Sequence, residues 1–137
     1  MDLVVWEERY SVGVTSIDVE HQRLINLINC LYTEINAETD HAVFSDITDD
    51  ILIHALVHFR HEELEFRRTN YQNAEDHIKE HTLIIYKILK IQEKCHDTKD
   101  VKALAKDTLN ILIDWLMDHI LQYDRLYITH FKDFGAE

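Results

Sequence analysis

The stretch His58-Phe59-Arg60-His61-Glu62-Glu63, followed by His77-Ile78-Lys79-Glu80-His81, carries the imidazole and carboxylate groups that hold transition metals. His58 and Glu62 are four residues apart, as are His77 and His81, so on helices each pair stacks on one face a single turn apart and can bite one metal ion. Tyr71-Gln72-Asn73 is the turn candidate between them, which makes two consecutive antiparallel helices whose ligands face each other. The chemistry these residues suggest is a buried metal centre.

The rest of the chain has to build the elements that position such a centre. At 137 residues it is long enough for one domain with its own core and no staples. Proline is absent, glycine occurs twice and 46% of residues are hydrophobic, which leaves little of the turn chemistry of a sandwich, barrel or βαβ fold and points to an all-α protein. The formal net charge of −12 comes without a basic stripe, which argues against nucleic acid and anionic membrane surfaces as partners. Cys30 and Cys95 suit reduced thiols better than a disulfide framework. The start Met-Asp-Leu-Val-Val-Trp-Glu-Glu has no basic region and only a short apolar run, and no later stretch reaches spanning length. The expectation is a cytoplasmic monomer without membrane insertion.

Residues 1–16 lack a helical period and read as an extended arm that buries Trp6 and Tyr10 against a bundle spanning 17–131. From Ile17, the positions His21, Leu24, Ile25, Ile28, Leu31, Tyr32 and Ile35 form a helical stripe, with Glu20, Arg23, Asn26 and Glu34 to the side or away. The pattern fades over 36–41. Ser45 or Asp46 is the expected cap of a second helix with Ile47, Ile51, His54, Ala55, His58, Glu62 and Phe66 on one side. A third helix is expected from Ala74, carrying His77, His81, Ile84, Ile85, Ile88 and Leu89 inward and ending near Cys95 to Thr98. A fourth runs from Lys99 or Asp100 towards Phe131, with Leu109, Leu112, Leu116, His119, Tyr123 and Leu126 in its stripe. Four amphipathic helices with short links predict an up-down-up-down four-helix bundle.

Each helix then brings ionisable groups inward: His21, then His58 and Glu62, then His77 and His81, then His119 with Asp124 five residues on. A spacing of five rotates the second side chain by about 140° on an ideal helix, so both can point inward only if the turn widens locally. Such π-bulges tend to occur at functional sites, and one is expected near His119. Individually, a histidine on an apolar stripe is usually a satisfied core or surface residue. Seven buried ionisable groups without compensation would cost several kcal/mol apiece, however, which favours a shared ligand. His41, His96 and His130 are expected to face solvent, while His54 and His61 flank His58 by about a turn as supporting partners or marginal residues. His77 to His81 also fits the H-x-x-E-H zinc-protease signature, but that reading leaves His21, His58, Glu62, His119 and Asp124 unexplained and turns Glu80 aside from the stripe.

These residues resemble the hemerythrin family of non-haem di-iron proteins, in its bacterial single-domain form, over nearly the whole chain. The likeness runs through the Trp6 arm and Gly13-Val14, Ile17-Asp18-Val19-Glu20-His21-Gln22, His58-Phe59 with Glu62-Glu63, His77 with His81, and Trp115-Leu116-Met117-Asp118-His119-Ile120 with Asp124. Gln72 departs from the proline often found at that turn, and His61 stands where a bulky apolar or neutral residue is expected. The resemblance implies that His77, His81 and His119 hold one iron, that His21 and His58 hold the other, and that Glu62 and Asp124 bridge a di-iron centre with an oxo or hydroxo group. It implies an open position at the second iron for dioxygen, with azide and nitric oxide as other small ligands.

The implied function is reversible dioxygen binding, as carrier, store or scavenger, and not catalysis. Five imidazoles and two carboxylates leave an iron pair mildly cationic, unlike the Glu-rich sets of ferritin-like oxidases. Leu116, one turn before His119, and nearby Trp115 are expected to form an apolar oxygen pocket. The alternatives are a di-iron enzyme that reduces dioxygen, peroxide or nitric oxide, and an oxygen-sensing module acting through a separate partner protein.

Overall fold

The computed structural model describes residues 2–37 and 40–136. Four long helices, α1 (Thr15–Asn36), α2 (His41–Thr69), α3 (Ala74–Asp97) and α4 (Val101–Asp118), are followed by a π-helical segment (His119–Asp124) and a short α5 (Ile128–Phe134). No strand occurs among the described residues. Each long helix packs on its neighbour in sequence and α4 closes back on α1, which is the up-down-up-down bundle expected of short-linked amphipathic helices.

Local chemistry sets the helix ends. Asp40 caps α2 by accepting from the Val43 N–H at 2.9 Å, and Asp100 caps α4 through the Ala103 N–H at 3.0 Å. The start of α2 therefore lies a turn before the expected cap at Ser45 or Asp46, because Phe44 is fully buried and anchors an extra turn. Asn70 ends α2 in the left-handed region at φ 54°, a conformation asparagine tolerates. The linker expected over 36–41 includes residues 38 and 39, which lie outside the described residues.

Register differs from expectation in two places. Leu89, expected inward on α3, is 49% exposed. On the last long helix the expected stripe continued through Tyr123 and Leu126, yet Leu126 is 63% exposed while Asp124, Tyr127 and Phe131 are buried. The π segment inserts the equivalent of one residue, so every inward position beyond it moves on by one. His130 also departs from expectation: it is half-buried, with a ring nitrogen 2.8 Å from Thr69 Oγ1 and its ring against Tyr71 and Phe134.

The main core is aliphatic and joins all four long helices, whereas Val12, Val14, Ile17, Phe66, Tyr71, Tyr127 and Phe131 form a second, aromatic cluster. The amino-terminal arm makes one 3₁₀ turn at Glu8–Tyr10, buries Tyr10 and half-buries Trp6. Gly13, at φ 77°, lets the chain turn sharply into α1 where a side chain would be strained. The arm is tied to α1 by Asn29, whose Oδ1 accepts from the Leu3 and Val4 N–H groups at 3.0 and 2.9 Å while its Nδ2 donates to the Val4 carbonyl at 2.8 Å. Asn29→Ala should destabilise the fold by roughly 1–3 kcal/mol, because it strands buried backbone groups of the arm. Asn29→Asp, which keeps both accepted bonds, should fall between the two in urea unfolding. An unchanged midpoint for Asn29→Ala would show that the arm is held by its aromatics alone.

Candidate metal centre

Seven ionisable side chains meet in the middle of the bundle: His21 from α1, His58 and Glu62 from α2, His77 and His81 from α3, and His119 and Asp124 from the π segment. None is more than 2% exposed. The π segment makes this convergence possible, since it rotates Asp124 onto the same side as His119 despite the five-residue spacing.

The nitrogens that point to the centre are the Nε2 atoms. Glu62 Oε1 lies 3.2 Å from both His58 Nε2 and His81 Nε2. Asp124 Oδ1 lies 3.0 Å from His77 Nε2 and 3.1 Å from His119 Nε2, and its Oδ2 lies 3.1 Å from His21 Nε2. Two four-residue groups could each hold a cation, Glu62 with His77, His81 and His119, and His21 and His58 with Glu62 and Asp124, the ligand atoms of each group lying within 4.8 Å of one another.

These atoms are close but not paired. His21 Nε2, His58 Nε2, His81 Nε2, Glu62 Oε1 and both Asp124 oxygens are buried with no hydrogen-bond partner of proper geometry. Lone pairs aimed at a common space in a dry core would cost several kcal/mol if left so, and a cation between them removes the cost. The residues present therefore fit a pair of divalent metal ions.

Without metal, protons must play the same part. Burial opposes the charged form of His58, but the Glu62 charge and the hydrogen bond to Glu20 outweigh it and raise its pKa to about 10. Burial also opposes His119, which Asp124 nevertheless raises. His81 is lowered, chiefly by burial. Burial works against ionised Glu62 and Asp124 as well, yet the surrounding imidazoles hold both carboxyls below their usual range.

A supporting layer orients the centre. His58 Nδ1 lies 2.8 Å from Glu20 Oε1, and His61 Nδ1 lies 2.9 Å from the same oxygen. His81 Nδ1 is 3.4 Å from Glu63 Oε1. The Tyr127 hydroxyl donates to Glu62 Oε2 at 2.5 Å, and burial, with Asp124 and Glu62 nearby, raises its pKa well above the ordinary value. Phe59 stacks on His81 at 3.9 Å between ring centroids. Glu20, expected to one side of its helix, is thus a missed member of the site, as are Glu63 and Tyr127. The readable signal for Glu20 was chemical, since a ligating histidine usually gives its other nitrogen to a carboxylate. His61 belongs to this layer, whereas His54 is half-buried and faces its own helix at the Asp50 carbonyl. Leu116 is fully buried, and Trp115 is buried with its ring 5.8 Å from Phe59 and 6.4 Å from His119. Glu80 joins neither ligand group and lines a cleft between α3 and α4.

The family model of the hemerythrin HHE cation-binding domain matches residues 12–131. The bacteriohemerythrin of Clostridium acetobutylicum is 28% identical over 129 residues, which cover 92% of this chain and 99% of that protein. The bacteriohemerythrin of Pseudomonas paraeruginosa is 27% identical over 125 residues, 91% of this chain and 79% of that one. Among solved structures, a hemerythrin in which a leucine is replaced by alanine superposes with a TM-score of 0.84 at 23% identity, over 95% of this chain and 98% of the other. The wild-type hemerythrin structure gives 0.82 at 24% identity, over 93% and 96%. With all four long helices inside the matched span and a buried His/Glu/Asp cluster at their centre, the chain belongs to the hemerythrin family.

Proposed function

We propose that this protein binds two iron ions and, through them, dioxygen reversibly, as a carrier, store or scavenger. The observation that carries this reading is the unequal sharing of histidines around two shared carboxylates. Glu62 and Asp124 each lie within 3.2 Å of histidines from both ligand groups. His77, His81 and His119 would hold one ion, His21 and His58 the other, and the two carboxylates would join them. The group with only two histidines leaves room for a small external ligand. An iron pair bound there supplies the electrons that let dioxygen bind and leave again.

The chain's own residues favour release over committed chemistry. Two anionic side chains among five neutral imidazoles stabilise highly oxidised metal less than a carboxylate-rich set does. Glu20 and Glu63 fix the His58 and His81 rings from behind, and Tyr127 holds the outer oxygen of Glu62. Leu116, Trp115 and Phe59 would keep water from the reacting space. A second reading, reduction of dioxygen, peroxide or nitric oxide with an external reductant, is favoured by one observation: the half-buried His61 reaches Glu20, and through it His58.

Two tests address the proposal. Protein loaded anaerobically with ferrous iron should contain two irons per chain and gain a visible absorption band with dioxygen that disappears under inert gas. His58→Ala should keep its helical circular dichroism but lose about half the iron and the band together. A band that forms in His58→Ala would contradict the ligand assignment, and one that decays irreversibly in the wild type would favour the reductase reading. The second test concerns protons. With a pKa raised to about 10, His58 is protonated in the metal-free chain at neutral pH and must lose that proton before its Nε2 can hold metal. Affinity should therefore rise with pH through the neutral range. Calorimetry of iron uptake in buffers of different ionisation enthalpy should show at least one proton released per chain, and release of none would refute the His58 assignment.

A further inference from the structure

The outward face of α2 carries a feature that the metal centre does not explain. Ile53, Val57 and Leu64 are 56%, 59% and 50% exposed, although they sit near the middle of the longest helix. Their spacing puts them on one face, opposite the buried His58 and Glu62 stripe. Charge is ordered along the same face. Asp46 and Asp50 lie exposed towards its amino-terminal end, Arg60 and Arg67 towards its carboxy-terminal end. Apolar side chains gathered on one exposed helix face and bordered by charge have the composition of an interaction surface.

The order of the charges identifies the occupant. Two copies of α2 laid antiparallel about a two-fold axis, with Ile53 against Leu64 of the second copy, bring Asp50 opposite Arg67 and Val57 against the stem of Arg60, and symmetry repeats each contact. A parallel arrangement would set Asp50 against Asp50 and Arg67 against Arg67. The eighteen residues from Asp50 to Arg67 span about 25 Å of helix, enough for an extended seam. We infer that this face is the two-fold interface of a homodimer, formed by antiparallel α2 helices and aligned by Asp50 and Arg67, in place of the monomer expected from the sequence. A seam of this size belongs with the small interfaces, under about 1,200 Å² of total buried surface, that hold weak and reversible pairs.

Sedimentation equilibrium of the iron-loaded protein tests it. The wild type should show a monomer–dimer equilibrium. Asp50→Arg or Arg67→Asp should each weaken it by roughly tenfold or more, because each leaves like charges facing across the seam. Both positions are exposed and neither belongs to the ligand groups, so iron content and helical circular dichroism should be unchanged. An equimolar mixture of the two variants should recover the dimer, since one supplies two cations and the other two anions. A wild type that stays monomeric up to millimolar concentration would overturn the inference and leave the face to another partner. A dimer indifferent to both charge reversals, or a mixture that fails to recover it, would overturn it as well.

Discussion

Glu62 and Asp124 are fully buried carboxylates at the middle of a helical bundle, and neither is exposed to bulk solvent. A buried anion of this kind is tolerated only when positive charge or donated hydrogen bonds surround it. The five inward imidazoles answer that need, but they carry acceptor lone pairs as readily as protons, so they solve the problem in two ways. In the metal-free chain protons meet it, chiefly on His58, whose pKa is raised to about 10, with that of His119 raised as well. With metal the imidazoles would turn the same nitrogens to a cation. The bundle is thus built around a charge balance that protons satisfy loosely and that bound metal would satisfy better, and exchange of one for the other would link metal affinity to pH.

Positioning follows from the same constraint. Four helices must each place a group at one level, and three of them do so with ordinary one-turn geometry. The last cannot, because His119 and Asp124 are five residues apart, and the π segment His119–Asp124 resolves the mismatch. Its cost in backbone regularity is local. Its consequence is not, since the shifted register beyond it brings Tyr127 under Glu62 and Phe131 into the aromatic cluster with Phe66 and Tyr71. The widened turn therefore completes the ligand set and also builds the wall beneath it.

Much of this was legible in the sequence. Helical periods locate all four long helices, and the irregularity at His119 follows from a spacing that an ideal helix cannot accommodate. The seven ionisable positions, chosen for type and stripe, converge in space. What escaped has physical causes. The cap at Asp40 is hidden because Ala42-Val43-Phe44 adds a turn with little amphipathic signal. A 3.6-residue period, which cannot be carried through a π segment, puts Leu126 inward where the structure buries Tyr127. Glu20 was set aside because a stripe reports which residues face the core, whereas Glu20 reaches His58 and His61 sideways from the flank of α1. The ridge of Ile53, Val57 and Leu64 lies off the inward stripe of α2, and a stripe carries no signal of what its outer face meets.

In the proposed centre, two carboxylates buried in one bundle would be shared between two cations held by unequal sets of histidines. Anomalous diffraction from crystals of the iron-loaded protein, collected on either side of the iron absorption edge, addresses it directly. The account predicts two iron peaks, one among His77, His81 and His119 and the other beside His21 and His58, with Glu62 and Asp124 touching both. A single peak, or a pair in which either carboxylate contacts only one ion, would contradict it.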